Sequence, residues 1–213
     1  MHSRLAHAEV VIWDWNGTLL DDVDVCIAII NESLRKRDLP PVTRPTYLDL
    51  FEFPVINYYR HLGFDFARES FEEIGMEFIR AYQTGMFTCS LHSGALEILT
   101  AVQAAGKRQF ILSALESASL TKVIGHFHLE RFFTDTRGLD NHYAAGKVGL
   151  GKALLGDHAH DPGKAVMIGD TLHDLETAQA MGISCLLSSA GHNSADRLRK
   201  SGAPVIASLK ELL

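Results

Sequence analysis

Residues 9–18 read Glu-Val-Val-Ile-Trp-Asp-Trp-Asn-Gly-Thr, an apolar run that stops at Asp14 and is followed by the pair Asn16-Gly17. The β-branched and aromatic residues are typical of a buried strand, and Asn-Gly is a turn signal. An acid that closes such a run is costly to bury without a partner. The stretch therefore predicts a strand with polar groups at its carboxyl end.

Several later stretches repeat this form, a short apolar run that ends in a polar residue. They are residues 110–112 before Ser113, residues 165–168 before Gly169-Asp170, and residues 184–187. Residues 205–207 predict a further short strand, and Phe132-Phe133 is expected to belong to another.

Helical patterns lie between these runs, at residues 94–106, 117–124, 151–155 and 174–181. The first has apolar residues at spacings of three and four and a closing glycine. Short apolar strands that alternate with helices indicate an α/β fold with a parallel sheet covered on both faces. In such sheets, ligands bind beyond the carboxyl ends of the strands.

The segment 21–88 breaks the alternation. It has helical periodicity at residues 25–34 and 71–82, a proline-rich elbow at residues 40–45, and no clear strand. We expect an all-helical cap over 21–88, inserted into a core of residues 1–20 and 89–213. Because this insert leaves and rejoins the sheet beside the carboxyl end of the first strand, it is placed to cover that end as a lid.

Composition excludes several classes of protein. The 213 residues are 46 % hydrophobic and 22 % charged, as in ordinary globular proteins. A net charge of −6 gives no basic surface for nucleic acid, and no apolar stretch approaches the roughly 18 residues that cross a bilayer. The lack of a signal-peptide pattern and three widely spaced cysteines without CxxC spacing predict a cytoplasmic protein. We expect a monomer or homodimer.

Four signals fall at the strand ends or in the loops beside them: Asp14, Ser113, Lys147, and the pair Asp170 and Asp174. A carboxylate that faces a hard cation can attack phosphorus, because the cation offsets the repulsion between two anions. Asp14 is the candidate nucleophile, and the later acids are candidate metal ligands. Hydroxyl donors and the lysine would bind the phosphate oxygens.

The order of these signals resembles the haloacid dehalogenase-like hydrolase superfamily over about residues 10–187. Its Asp-x-Asp-Gly-Thr motif appears as residues 14–18, its strand ending in Ser or Thr as residues 110–113, its lysine as Lys147, and its Gly-Asp-x-x-x-Asp motif as residues 169–174. The resemblance implies a Rossmann-like sheet, Mg²⁺, an aspartyl-phosphate intermediate and a small phosphorylated substrate. The helical insert is similar to the cap of phosphoglycolate phosphatase-like members.

The resemblance also implies roles for individual residues. Asp14 would attack and bind Mg²⁺, with the backbone carbonyl of Asn16, the carboxylate of Asp170 and support from Asp174. The catalytic set is Asp14, Asn16 and Lys147. The phosphate-binding set is Gly17, Thr18, Ser113, Ala114 and Lys147.

The pattern departs from the family at Asn16. The family has an acid here that protonates the leaving oxygen and then activates water, which an amide cannot do near neutral pH. Such proton transfer contributes typically about 10²- to 10⁴-fold in rate. One hypothesis keeps a phosphatase that uses good leaving groups or another acid, for which His173 is the nearest candidate. Deamidation of Asn16-Gly17 would also restore the acid.

Other hypotheses remain open. Phosphonate-cleaving relatives form a Schiff base on a cap lysine, and the only lysine in the insert is Lys36. Dehalogenating relatives also lack the second acid, although the metal motif argues against them. A phospho-ligand binding or regulatory module with little catalysis is the third hypothesis.

Specificity is expected to lie in the cap at residues 50–54 and 57–61, which mix aromatic and charged side chains. Arg60 is a candidate partner for a substrate carboxylate. His142 and Tyr143 are expected only to shape the loop before Lys147.

Overall fold

The computed structural model describes residues 2–139, 147–158 and 160–213, and its framework is a parallel sheet of six strands. The strands in chain order are β1 (Val10–Trp13), β2 (Leu20–Asp21), β3 (Ser90–Leu91), β4 (Arg108–Glu116), β5 (Asp135–Leu139), β6 (Ala165–Gly169), β7 (Ser184–Ser188) and β8 (Val205–Ile206). The main sheet has the order β5-β4-β1-β6-β7-β8, and β2 and β3 form a separate antiparallel ribbon.

Helices connect the strands of the sheet. They are α1 (Ser3–Ala6), α2 (Val23–Arg35), α3 (Arg44–Leu50), α4 (Val55–His61), α5 (Phe71–Gly85), α6 (Ala95–Ala104), α7 (Ser117–His126), α8 (Lys147–Asp157), α9 (Leu172–Met181) and α10 (Ala195–Lys200). Short 3₁₀ turns lie at Met86–Thr88, Glu130–Phe132, Pro162–Lys164 and Leu209–Leu212.

The central strand β1 is buried on both faces. Its four residues pair in parallel with β4 on one side and β6 on the other. Side chains alternate along a strand, so Val11 and Trp13 enter one apolar cluster while Val10 and Ile12 enter the opposite one. The prediction of an α/β fold with a parallel sheet covered on both faces is confirmed.

The helices α2 to α5 form the inserted region, between β2 and β3. The ribbon pairs Leu20 with Leu91 and Asp21 with Ser90, which brings the two connections together beside the end of β1. Helix α5 begins with a capping box, since Ser70 and Glu73 satisfy each other's backbone N–H groups. The helical character of this region agrees with the prediction, whereas the ribbon was not predicted.

The edge strand β5 was assigned to the wrong residues. The prediction of a strand at Phe132-Phe133 is wrong, because Phe132 is the last residue of a 3₁₀ turn. Its buried ring lies beneath the Arg131 guanidinium, whose Cζ is 4.6 Å from the ring centroid. The strand starts at Asp135 and, among the described residues, pairs with β4 alone. Because the described part of the chain places no strand on the other side of β5, polar residues such as Asp135 and Arg137 are tolerated there, and the apolar pattern that reveals inner strands is missing.

No helix in the described part of the chain is long and apolar enough to cross a membrane. The three cysteines are free thiols, and Cys26 and Cys185 are buried.

A glycine in β5 gives a test of the fold. A Cβ at Gly138 would lie 2.6 Å from the Leu115 carbonyl oxygen and 2.8 Å from Ser117 Cα, both backbone atoms. We expect Gly138→Ala to lower the free energy of unfolding by about 1–3 kcal/mol through overpacking. Gly149→Ala is the matched control, because a Cβ in this part of α8 meets nothing within 4 Å and alanine favours the helix. Urea unfolding of both variants checks this, and equal stability of the two would contradict the strand pairing.

Candidate active site

The carboxyl ends of three neighbouring strands bring the predicted residues together. Asp14 directly follows β1, Asp170 directly follows β6, and Ser113 lies in β4. The register is tight at this edge, since the Asp14 backbone N–H donates to the Ile168 carbonyl oxygen at 2.8 Å. All three side chains are buried.

Three carboxylates form one buried cluster. Oxygens of Asp14, Asp170 and Asp174 all lie within 4.8 Å of one another. Asp174 is in the first turn of α9, where it accepts from the Thr171 hydroxyl at 2.7 Å and from the Asp170 backbone N–H at 3.1 Å. This close approach requires Gly169, because a Cβ there would lie 2.3 Å from Asp174 Cγ.

Lys147 is the cation that faces this cluster. It begins α8, is buried, and its Nζ donates to Asp14 and Asp174. Burial works against the ammonium, but the two carboxylates outweigh it and raise the pKa of Lys147. The group therefore stays charged between its two partners.

The carboxylates respond to burial in different ways. Burial, with the charges of Asp174 and Asp170, raises the pKa of Asp14 well above its usual range despite Lys147. Burial also raises the pKa of Asp170 to about 6, against the opposing charge of His192 and with a contribution from Asp174. Burial would raise the pKa of Asp174 as well, but Lys147 and Thr171 hold it below its usual range. Negative charge is thus in excess at this point.

The chemistry of the donor set fits a hard divalent cation. The cluster offers carboxylate oxygens, which Mg²⁺ prefers, and three acids are opposed by one lysine. A cation among these oxygens would remove the repulsion that raises the pKa values of Asp14 and Asp170. The buried aspartate cluster therefore has the ligand chemistry of a site for a hard divalent cation.

The turn after Asp14 is built around Asn16 and Gly17. Gly17 has φ +71°, and a Cβ there would lie 2.3 Å from an Asp170 oxygen, so only glycine fits. The amide nitrogen of Asn16 donates to Asp22 at 2.8 Å and contacts the Tyr82 hydroxyl. The Gly17 N–H, whose nitrogen would attack Asn16 during deamidation, donates to Asp22 at 2.8 Å. The folded turn thus holds both reacting groups in hydrogen bonds, which opposes deamidation.

Sequence reasoning missed two residues of the site, Asp22 and His192. His192 Nε2 lies 3.1 Å from Asp22, and its backbone N–H donates to Asp170 at 2.6 Å. The Tyr82 hydroxyl also donates to Asp22. His192 lies just beyond β7, so the position of ligands at strand ends was a signal that could have found it. Asp22 precedes α2 and belongs to no motif.

Asp22 and His192 form a buried ion pair. Burial would raise the pKa of Asp22, but the charge of His192 and hydrogen bonds from His192, Tyr82 and Asn16 hold it below the usual range. Burial would lower the pKa of His192, but Asp22 outweighs it and, with Asp170 and Asp14, raises the pKa to about 9. The imidazolium therefore supplies a second positive charge beside the cluster.

The predicted phosphate-binding residues have mixed surroundings. The Thr18 hydroxyl donates to Asp170 at 2.7 Å and so positions that carboxylate. The Ser113 hydroxyl lies 3.5 Å from the Asn16 side-chain oxygen and accepts from the Leu115 N–H at 3.0 Å. Ala114 and Lys147 line a cavity of about 900 Å³ that opens at Asp14 and extends under the inserted helices.

Hydrogen bonds from the loop after β7 hold the inserted region over this cavity. The side-chain amide of Asn193 donates to the Phe51 carbonyl oxygen at 2.9 Å, and the Ser194 N–H donates to the Leu48 carbonyl oxygen at 3.1 Å. The Tyr47 hydroxyl lies 2.8 Å from His192 Nδ1. The loop after β7 therefore holds both the helical region and Asp170.

The remaining predicted residues lie in different places. Lys36 forms an ion pair with Glu77. Arg60 is exposed and donates to the Asn57 side-chain oxygen at 3.0 Å. Neither Lys36 nor Arg60 lines the cavity. His173 lines the cavity and stacks on Phe53 with ring centroids 4.7 Å apart. His142 and Tyr143 lie outside the described residues.

Fold and site together define a class of protein: an α/β fold with an aspartate at the carboxyl end of its central strand, a buried lysine, one acid directly after the next strand, another in the helix that follows, and an inserted helical region. The chain belongs to the haloacid dehalogenase-like hydrolase family, whose model matches residues 11–188. The resemblance drawn from the motifs is confirmed.

Similar proteins agree with this assignment. The tyrosine-protein kinase PtkA of Mycobacterium tuberculosis is 25 % identical over 93 % of this chain and 68 % of its own length. A 5′-nucleotidase of Pseudomonas aeruginosa is 26 % identical over 89 % of this chain and 86 % of its own. The structure of a predicted phosphoglycolate phosphatase from Haemophilus somnus superposes with a TM-score of 0.77 at 15 % identity, covering 97 % and 96 % of the two chains, which shows the shared fold.

The acidic cluster predicts stabilisation by Mg²⁺. At a free Mg²⁺ concentration about 100 times its Kd, we expect the free energy of unfolding to rise by about 2.7 kcal/mol. This corresponds to a rise of roughly 5–10 °C in melting temperature for a chain of this size. Asp170→Asn should lose most of this gain, because one of the clustered carboxylates is gone. Asp196→Asn, at an exposed position on α10, should keep it. Thermal unfolding in Mg²⁺ and in EDTA measures both, and an unchanged gain in Asp170→Asn would argue against this site.

Proposed function

We propose that this hydrolase is a Mg²⁺-dependent phosphatase of small phosphorylated molecules that forms an aspartyl-phosphate on Asp14. One observation carries the proposal: the Asp14 carboxylate lines a cavity, contacts Lys147 and lies within 4.8 Å of Asp170 and Asp174. Asp14, the Asn16 carbonyl and Asp170 would hold the cation, with Asp174 in support. When bound, Mg²⁺ supplies charge that offsets the repulsion between carboxylate and phosphate.

In the first step, an Asp14 oxygen forms a bond to phosphorus while the bond from phosphorus to the leaving oxygen breaks. That oxygen keeps the electron pair. Lys147, placed between Asp14 and Asp174, binds a phosphate oxygen and stabilises the charge that builds there. Ser113 and Ala114, within the neighbouring strand β4, would contribute the Ser113 hydroxyl and the Ala114 backbone N–H as donors to the phosphate oxygens.

In the second step, water attacks the phosphorus of the aspartyl-phosphate. The bond to the Asp14 oxygen breaks, its electron pair returns to the carboxylate, phosphate leaves, and the proton of the attacking water passes to solvent. A carboxylate at position 16 would take the proton from this water, but Asn16 is an amide whose nitrogen is already hydrogen-bonded to Asp22 and Tyr82. We therefore propose that hydrolysis of the intermediate is slow relative to its formation.

The 5′-nucleotidase relative supports a phosphomonoester substrate. The tyrosine-protein kinase relative raises a second candidate, transfer of the phosphoryl group to a hydroxyl other than that of water. Asn16 favours this candidate in one respect, because an intermediate that waits for water is open to other acceptors. The two candidates are separated by supplying a phenol as acceptor and measuring how much free phosphate and how much phosphorylated phenol is formed.

The nucleophile is tested with acetyl phosphate, a small substrate whose leaving group needs no proton. We expect turnover with Mg²⁺, loss of at least about 10³-fold in Asp14→Asn because the attacking oxygen is removed, and a beryllofluoride adduct on Asp14 visible by ¹⁹F NMR. Asp196→Asn should behave as wild type. Turnover that survives in Asp14→Asn would overturn the proposal.

Position 16 gives an independent prediction. For an alkyl phosphate, Asn16→Asp should raise kcat by about 10²- to 10⁴-fold, because an acid-base group is restored. Asp22 faces this position, so two carboxyl groups would share a proton and one would remain available as an acid. With 4-nitrophenyl phosphate, whose leaving group needs no proton, wild type should show a burst of leaving group followed by slow turnover, and Asn16→Asp should not. Stopped-flow measurement of leaving-group release tests this prediction. A linear trace in wild type would contradict it, because formation of the intermediate would then limit the rate.

A further inference from the structure

The cavity above Asp14 is large for a small phosphorylated acid. Its volume of about 900 Å³ lies near the upper end of the roughly 300–1,000 Å³ typical of ligand pockets. It begins at Asp14 and Lys147 and reaches helices α3, α4 and α5 of the inserted region. Most of this space is therefore available to the part of the substrate that leaves.

The walls of the cavity are aromatic and aliphatic. Phe51 packs against Phe53 and Tyr58 with ring centroids 5.5 and 5.4 Å apart, and all three line the cavity. Phe71, Phe78 and Ile79 of α5 also line it. Tyr58 is buried and its hydroxyl has no hydrogen-bond partner among the described residues. Such a wall favours a flat apolar group.

The cavity is poorly suited to a second anionic group on the substrate. Of the residues described, the basic side chains that line it are Lys147, His173 and His192. Each of them already faces a carboxylate: Asp14 and Asp174 for the lysine, Glu176 at 3.5 Å and Asp22 at 3.1 Å for the histidines. A distal carboxylate or phosphate would meet apolar walls, where an unpaired charge is costly.

The leaving group must also depart without a proton from position 16. A phenol has a pKa of about 10, as in tyrosine, whereas simple alcohols are close to water at about 16. An aryl oxide therefore leaves with its electron pair far more easily than an alkoxide does. The missing acid and the aromatic cavity point to the same chemical feature, an aromatic ring attached to the phosphate oxygen.

We propose, on the basis of the proposed phosphatase function, that the substrates are aryl phosphomonoesters whose ring occupies the cavity under α3, α4 and α5. Asp14 forms the bond to phosphorus as the bond from phosphorus to the aryl oxygen breaks. The phenolate leaves with the electron pair and takes its proton from solvent after release. No acid at position 16 is required for this step.

Two substrates with the same apolar body test the leaving group. We expect kcat/KM for 2-naphthyl phosphate to exceed that for 2-naphthylmethyl phosphate by about 10²- to 10⁴-fold, and Asn16→Asp to reduce this ratio by raising the second rate. Similar values for the two substrates in wild type would overturn the inference.

Gly75 of α5 allows the cavity itself to be tested. It lines the cavity, and a Cβ there meets nothing within 4 Å, so Gly75→Leu fills space without a clash and favours the helix. We expect kcat/KM for 2-naphthyl phosphate to fall at least about tenfold more than that for acetyl phosphate. Gly156→Leu is the matched control, because this exposed glycine of α8 also has open space around it.

The outcomes separate this inference from the function on which it rests. Turnover of acetyl phosphate and a beryllofluoride adduct on Asp14, combined with equal losses for both substrates in Gly75→Leu, would leave the phosphatase standing and overturn the aryl substrate. Failure of acetyl phosphate turnover and of the adduct would overturn both.

Discussion

The site depends on one electrostatic constraint: three carboxylates are buried at the carboxyl edge of the sheet with Lys147 between two of them. Taking these charges out of water is costly, and breaking such a pair leaves an uncompensated charge. The surrounding structure is arranged to hold them, with Thr18 and the His192 N–H on Asp170 and the first turn of α9 on Asp174. A cation that balanced this charge would also reduce the repulsion between a carboxylate and a phosphate dianion.

The sequence predicts the inner sheet well because burial on two faces forces a readable pattern. Strand β1 and its neighbour β6 are continuous apolar runs, β7 is similar, and β4 contains such a run at residues 110–112. Strand β5 differs because, within the described residues, it is an edge strand that pairs with β4, so Asp135, Thr136 and Arg137 are compatible with it. The ribbon of β2 and β3 has two residues on each side, and its pairing joins positions about 70 residues apart. The local sequence of β2 and β3 therefore carries no pattern from which their pairing could be predicted.

The same distinction applies to the site. Asp14, Lys147, Asp170 and Asp174 belong to motifs, and the structure brings all of them together. Asp22 and His192 are 170 residues apart in the chain, and nothing in either local sequence indicates that they pair. Their contact depends on how the loop after β7 docks against the start of α2. Tyr82, which donates to Asp22, comes from the far end of the inserted region.

This network gives a physical reason for the amide at position 16. Asp22 accepts hydrogen bonds from the Asn16 amide, the Gly17 N–H, the Tyr82 hydroxyl and His192. An ionised carboxylate in place of Asn16 would present an acceptor where the network has a donor, so a carboxyl group at this position would have to share a proton with Asp22. The chain therefore combines an intact charge cluster, which can form the phosphorus bond, with surroundings that are matched to an amide. A phosphatase of the proposed kind would rely on the leaving group for what the missing acid does not supply.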